Sequence, residues 1–340
     1  MSFAAYKEII EEGDTVILHI GHENMYPLTV KKGETFQTKY GALKHEDLIG
    51  IKFGSKVHAT KGYMHVLHPT PELWTVNLPH RTQILYSTDI SMVLMQLDLV
   101  PGNVVVESGP FSLTLSGTGS GSLSHALIRA VAPTGHLYTY EFHKQRAEKA
   151  VEEFKDHGLS DLVTVNHRDV CMDGFGLDHI ADAVFLDLPR PWEAVLSAKQ
   201  ALKLQGGRIC SFSPCIEQVQ RVCEVLSESN FTDVTTMECL VRKFEVKSIN
   251  MPEPDLGDMK DPHELGQGEG EGHSSDVKRE QVDDNGSPQV KYAKVEGSSG
   301  WQYKHKTRKN SEMFSFRTAL PPHQMPGHTG YLTFATLYSE

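Results

Sequence analysis

Asn103-Val104-Val105-Val106-Glu107-Ser108-Gly109 opens the stretch that decides the fold. It runs on through residues 110–117 to Thr118-Gly119-Ser120-Gly121-Ser122, and then to Gly135-His136-Leu137-Tyr138-Thr139-Tyr140-Glu141-Phe142-His143. The β-branched run at 104–106 predicts a buried strand. It passes through an acid and a glycine-rich turn into an amphipathic segment at 122–132. A second apolar strand, 137–142, also carries an acid near its end. Strand, glycine turn, helix and strand make a βαβ unit of the type that holds nucleotides. Residues 110–117 lengthen the turn beyond what such a unit needs, and Ser-Gly stands both at 108–109 and at 116–117.

Strand and helix signals go on alternating beyond this unit. Strands are expected at 163–167, 183–188 and 207–212, and helices at 144–156, 194–202 and 215–228. Short apolar strands separated by helices imply a mostly parallel sheet covered on both faces, with ligands bound outside the carboxyl ends of the strands. The segment His328-Thr329-Gly330-Tyr331-Leu332-Thr333-Phe334-Ala335-Thr336 reads as a last strand returning to that sheet. The expected organisation is therefore a small antiparallel β-domain at 1–75, closed or nearly so and with short edges, then a connector helix at 76–100. An α/β domain at 101–250 follows, then a disordered acidic insertion with a basic end at 251–320, and the final strand at 321–340. Just ahead of the connector helix, His68-Pro69-Thr70-Pro71-Glu72-Leu73-Trp74 is expected to be extended or turned by its prolines. Ser87 or Thr88 then caps a helix whose apolar face is Ile90, Val93, Leu94 and Leu97.

The 340 residues, 39% hydrophobic and 23% charged, suit one or more ordinary globular domains. No apolar run has membrane-spanning length, and the first residues do not read as a signal peptide. Five irregularly spaced cysteines, none in a CxxC pair, point to reduced thiols and give no thiolate zinc pattern, so no metal site is expected. Residues 251–300 hold twelve acids and five bases, −7 of the net −11, which leaves −4 for the other 290 residues. The acidic balance thus does not exclude a nucleic-acid substrate. Nothing in the basic run Lys304, Lys306, Arg308 and Lys309 separates RNA contact from a nuclear signal or a solvated surface.

The chemistry-bearing positions fall at strand ends. Backbone amides in Gly119-Ser120-Gly121-Ser122, before a helix, can receive an anion, although the pattern lacks the third glycine of a dinucleotide fingerprint. Glu141 stands where βαβ folds accept ribose hydroxyls. Arg146, one turn into the next helix, is as readily a solvated charge as a cofactor contact. Asp169 can accept from an exocyclic adenine amine while Val170 offers an amide to a ring nitrogen; a plain capping role for Asp169 fits equally well alone. Asp187 precedes Leu188-Pro189-Arg190-Pro191-Trp192, a rigid turn beside a stacking face. Acids at the ends of three successive strands are a stronger signal together than apart.

With these residues assembled, the chain resembles the catalytic subunits of eukaryotic tRNA (adenine-N1)-methyltransferases, class I S-adenosylmethionine-dependent enzymes with a Rossmann-like α/β fold. The resemblance covers residues 1 to about 250 and the last dozen. It rests on Val66-Leu67-His68-Pro69-Thr70-Pro71-Glu72-Leu73-Trp74, Gln83-Ile84-Leu85-Tyr86-Ser87, the glycine loop, Phe185-Leu186-Asp187-Leu188-Pro189 and Gly327-His328-Thr329-Gly330-Tyr331-Leu332-Thr333-Phe334. It implies that Gln83, Ile84, Leu85, Tyr86 and Ser87, with Gly119, Ser120, Gly121 and Ser122, hold the methionine part of S-adenosyl-L-methionine. Glu141 would bind the ribose, Asp169 and Val170 the adenine, and Asp187 would face the target base as the catalytic residue. Ile20, Gly21 and His22, with the stretch 35–42, match segments that close over the site. The family's implied setting is the nucleus, in a heterotetramer of two catalytic and two non-catalytic subunits that methylates a T-loop adenosine of tRNA.

The insertion at 110–117 departs from the family's Glu-Ser-Gly-Thr-Gly-Ser-Gly. It leaves an alternative in which the chain is an impaired isoform or a non-catalytic binding subunit. A nicotinamide oxidoreductase is disfavoured by the missing third glycine and by the Asp-Leu-Pro turn.

Overall fold

The structure is a computed structural model that describes residues 3, 6–21, 24–77, 85–109, 121–242, 244–252, 313–321 and 330–339. The amino-terminal region is made of strands β1 (Thr15–Gly21), β2 (Asn24–Thr29), β3 (Thr35–Thr38), β4 (Gly41–Lys44), β5 (Lys56–Ala59) and β6 (Gly62–Leu67). Four of them form an antiparallel sheet in the order β2-β1-β6-β5, while β3 and β4 pair only with each other. The hydrogen bonding leaves this antiparallel β-domain, expected from the sequence to be closed or nearly so, as an open sheet and a separate pair of strands. Four strands of four to seven residues are too few and too short to curl round and meet. Val16 and Leu18 of β1, Leu43 of β4 and Met64 and Val66 of β6 are buried together with Ile10, Val30 and Leu48.

Two helices lead out of this region, α1 (Pro71–Asn77) and α2 (Ser87–Gln96). The prolines at 69 and 71 do not keep 68–74 extended. Pro71 takes the first helical position, where a missing amide hydrogen costs nothing, and Thr70 Oγ1 accepts from the Leu73 amide at 3.3 Å. The N-cap of α2 is Tyr86, one residue before the expected one, and its amide donates to Asp89 Oδ2 at 3.2 Å.

The main sheet follows with β7 (Val104–Ser108), α3 (Ser122–Val131), β8 (His136–Glu141), α4 (Lys144–Asp156), β9 (Val163–His167), the single turn α5 (Val170–Asp173) and β10 (Ala183–Leu186). After it come α6 (Val195–Ala201), β11 (Gly206–Ser213), α7 (Ile216–Glu228) and β12 (Thr232–Met237). A hairpin of β13 (Glu245–Pro252) and β14 (Met313–Leu320) precedes the last strand, β15 (Tyr331–Tyr338). The seven-stranded sheet runs β12-β15-β11-β10-β7-β8-β9. Strands β7 to β11 are mutually parallel, and β15 enters antiparallel between β11 and β12.

Alternation along each strand supplies both faces of this sheet. Val105, Leu137, Phe185, Phe212 and Phe334 are buried on the side of α2, α3 and α4. Val106, Val184, Leu186, Ile209 and Ala335 are buried on the side of α6 and α7. Helix α4 shows why these segments become helices: Ala147, Ala150 and Phe154 recur at helical spacing and are buried, while the positions between them are mostly charged.

Residues Arg242–Gln324 cluster as a unit separate from the rest. Within it β13 and β14 pair over eight residues each, so 313–320, assigned from the sequence to the disordered insertion, are ordered as strand. Alternation in Met313-Phe314-Ser315-Phe316 supplies the reason, and the Phe314 and Phe316 rings stack at 5.3 Å. The acidic residues 253–312, with the basic run, lie outside the described residues. No helix among the described residues is long and apolar enough to cross a membrane.

Candidate functional site

Strand order in the main sheet reverses between β7 and β10, and the crevice of such a sheet opens there, beyond the carboxyl ends. A cavity of about 290 Å³ occupies that place. Its wall brings together Glu141 at the end of β8, Asp169 and Val170 after β9, and Asp187 after β10, with Arg146 from α4 and Ser108 and Gly109 from the end of β7. Four positions far apart in the sequence thus converge because each ends a parallel strand.

Each carboxylate is held by its own local geometry. Glu141 is buried, and its Oε1 accepts from the His143 amide at 2.8 Å with Arg146 Nη1 at 3.8 Å. Asp169 caps α5, its Oδ1 accepting from the Cys171 amide at 3.0 Å. Capping uses one of its oxygens and does not remove the group from the cavity wall, so the two roles read from the sequence are compatible. The Asp187 amide donates to the Ser108 carbonyl at 2.7 Å, which ties β10 to β7 where the carboxylate emerges. Gly109 is needed here: a Cβ built on it would stand 3.1 Å from Asp187 Cβ.

The electrostatics are set by a carboxylate that the sequence reading noted only as the acid closing the first strand. Glu107, next to Ser108 at the end of β7, is buried and accepts from Ser124 Oγ at 2.7 Å. Burial pushes its acid up to about 7, against weaker lowering by the Ser124 and Thr139 hydroxyls. Asp187 is also pushed up to about 7, first by burial and then by the neighbouring Glu107 charge. Two acids raised towards neutrality thus interact where β7 and β10 meet, since Glu107 pairs in register with Phe185, two residues before Asp187.

Other residues singled out from the sequence lie elsewhere. Leu85 is buried in the core beside Trp74 and Ile90, Tyr86 is exposed, and Ser87 lines a small crevice against α1 and α3. Ser122 is buried with its hydroxyl 2.5 Å from Thr75 Oγ1. Gly121, at φ +42°, is the N-cap of α3. Ile20 and Gly21 end β1, and the stretch 35–42 is the β3–β4 hairpin. None of these lines the cavity among the described residues. His22, Gln83, Ile84, Gly119, Ser120 and the insertion 110–117 fall outside the described residues.

Several wall residues carry no sequence signal. Tyr140 precedes Glu141 on the strand and donates its hydroxyl to the Phe175 carbonyl at 2.7 Å. Phe142, His143, Arg168 and Arg190 also line the cavity. They flank the strand-end acids, and adjacency to those acids is the one clue that could have found them.

A cavity with an acid at each of three strand ends, backed by a close glycine contact, fits a nucleoside-bearing cofactor. The family described as tRNA methyltransferase complex GCD14 subunit matches residues 62–337, and that described as TrmI-like N-terminal matches 9–65. The chain is 38% identical over 350 residues to the tRNA (adenine(58)-N(1))-methyltransferase catalytic subunit TRM61 of Candida albicans, with 98% of each chain covered. It is 44% identical over 258 residues to the trmt61a catalytic subunit of Dictyostelium discoideum, covering 73% of this chain and 80% of that one. Among solved structures it is similar to a SAM-dependent O-methyltransferase of Thermotoga maritima, with TM-score 0.66, 23% identity, and 97% and 95% of the two chains covered. It is also similar to the tRNA (m1A58) methyltransferase TrmI of Aquifex aeolicus, with TM-score 0.60, 20% identity, and 96% and 98% covered. At these identities the two structures speak for the Rossmann-like methyltransferase fold.

Proposed function

The chain belongs to the tRNA methyltransferase complex GCD14 subunit family, and from that membership we propose that it is the catalytic subunit of a tRNA (adenine-N1)-methyltransferase. The observation that carries the reading is the convergence of Glu141, Asp169 and Asp187 on one cavity at the sheet's reversal point. The cofactor is S-adenosyl-L-methionine, which supplies a methyl group already made electrophilic by its sulfonium.

The chain's own residues then have mainly to bind and align. Glu141, with one oxygen engaged by the His143 amide, has lone pairs left for ribose hydroxyls, and Arg146 steadies its charge. Asp169 accepts from the cofactor's adenine amine, and the Val170 amide donates to a ring nitrogen. Asp187 accepts from the exocyclic amine of the target adenine, which turns N1 towards the methyl group. A stacked adenine keeps N1 out of reach of a cavity in the protein, so the base has to be turned out of its stack first. As N1 becomes alkylated the base gains positive charge, and the ionised Asp187 stabilises it.

The family's description as a complex and the relatives' description as catalytic subunits support a further, non-catalytic partner. The assembly proposed is a heterotetramer of two subunits of each kind, acting on the T-loop adenosine of tRNA in the nucleus. The reading as a non-catalytic subunit is not favoured, since relatives matched over nearly the whole chain are catalytic subunits. The deciding experiment measures methyl transfer to tRNA and cofactor binding by calorimetry for the chain with its partner, with and without Asp187→Ala. Loss of transfer with cofactor binding retained is expected, and full turnover in the variant overturns the assignment.

A further inference from the structure

Apart from the cavity lining, His125 of α3 faces Glu153 of α4 and His157, the C-cap of that helix, which lie one turn apart. One ligand atom from each residue lies within 4.8 Å of the others. We infer that these three side chains form a buried structural site for a zinc ion that ties α3 to α4.

The hydrogen bonding already orients the ligands. His125 Nδ1 is 2.6 Å from the Gly121 carbonyl oxygen, which can only accept, so the ring proton sits on Nδ1. The Nε2 lone pair then points at His157 Nδ1, 2.8 Å away. A backbone carbonyl on the far nitrogen is how metal-bound imidazoles are usually fixed. The two nitrogens need open only to about 3.3 Å to share a tetrahedral zinc at about 2.0–2.1 Å from each, with His157 carrying its proton on Nε2 instead.

Two orphaned polar atoms belong to residues packed at this cluster. Glu153 Oε1 and Trp74 Nε1 are buried with no hydrogen-bond partner. Buried polar groups are seldom left so, and each calls for an occupant. Zinc takes the Glu153 carboxylate as its third ligand. A water in the fourth position accepts from Trp74 Nε1, whose ring stands edge-on to His157 at 4.9 Å. Two imidazoles and a carboxylate suit zinc, and the absence of sulfur among them disfavours cuprous copper. Phe3 lies 4.4 Å from the His157 ring and 4.8 Å from His125, and Phe154 lies 5.3 Å from His125. None of His125, Glu153 and His157 lines the cavity at the strand ends, and these aromatic rings enclose the two imidazoles, so the role assigned to the ion is structural. Thiolate spacing in the sequence could not reveal a site built from two helices without cysteine.

The test uses the full-length chain purified without chelating tags from zinc-supplemented medium, with metal measured by mass spectrometry. One zinc per chain is expected, along with visible d–d bands of tetrahedral cobalt when the chelator-stripped protein is given Co²⁺. Glu153→Gln and His157→Gln, checked for folding by circular dichroism, should lose the zinc and the bands. A chelator should lower the thermal midpoint of the wild type and leave that of Glu153→Gln unchanged. A wild-type chain that carries no zinc and gives no cobalt bands overturns the site, as does zinc retained when both substitutions are combined.

Discussion

The Asp187 amide donates to the Ser108 carbonyl oxygen at 2.7 Å, so the two strands flanking the sheet's reversal are tied where the proposed catalytic carboxylate leaves the chain. The next residue after Ser108 is the glycine that lets Asp187 sit this close. Gly109→Ala has to move Asp187 by a few tenths of an ångström, because the new methyl group would meet its Cβ at 3.1 Å. Since an ångström of misplacement costs about a hundredfold, a loss of roughly tenfold in kcat is expected, with little change in thermal midpoint. Steady-state methylation of tRNA and a melting curve check it.

The acid pair at β7 and β10 gives methyl transfer a pH dependence. The accepting form of Asp187 is the ionised one, so at saturating cofactor the rate should climb as pH rises through about 7. Removing the neighbouring charge with Glu107→Gln should move that rise to lower pH.

The same substitution tests stability. Glu107 is raised to about 7 in the folded chain, so folding binds a proton that the unfolded chain releases near the ordinary carboxylate value. Its contribution is most favourable at low pH and is lost as pH rises through about 7. Glu107→Gln should therefore raise the thermal midpoint by several degrees at pH 8 and hardly at all at pH 4. An equal change at both values would show that Glu107 does not titrate in this way.

Glu141 should reveal itself in cofactor affinity. Hydrogen bonds from hydroxyls to a buried carboxylate are worth about 1.5–3 kcal/mol, so Glu141→Ala should weaken S-adenosylmethionine binding by roughly 10- to 100-fold. Calorimetry on the purified complex measures it, and unchanged affinity would remove Glu141 from the ribose site.

Gly330 tests the fold away from the cavity. A Cβ built there would collide with the ring of Phe212, a buried residue in the main core. Gly330→Ala has to displace that ring, and about 1–3 kcal/mol of stability should be lost in denaturant melts.

Much of this architecture was legible because period and punctuation agreed. Strands β7 to β11 and helices α3, α4, α6 and α7 carry clean apolar patterns bounded by turns, and the strand-end acids follow from that alternation. What escaped had weaker patterning. Thr232–Met237 forms β12 at the sheet's edge, largely exposed and irregular in register between Thr232 and Thr235, so it shows no alternation to read. Pro71 looked like a helix breaker and is a helix opener. Glu107 was visible as an acid, but its pairing with Asp187 needs the crossover that sets β7 beside β10, 78 residues later in register. The wall residues Tyr140 and Arg168 were hidden for the same reason, since only the assembled cavity distinguishes them from ordinary neighbours of an acid.

Strand β15, inserted between β11 and β12, has a consequence for how the protein is made. Its pairing partner β11 is complete at Ser213, yet the ribosome has to translate more than a hundred further residues before Tyr331 emerges. Until then β11 presents a bare edge and β12 has no neighbour in the sheet. The nascent chain is therefore most exposed to mispairing with other strands during that interval. A transcript that stops short of β15 would yield a protein with its cavity acids present and its sheet open, a natural target for chaperones and proteases.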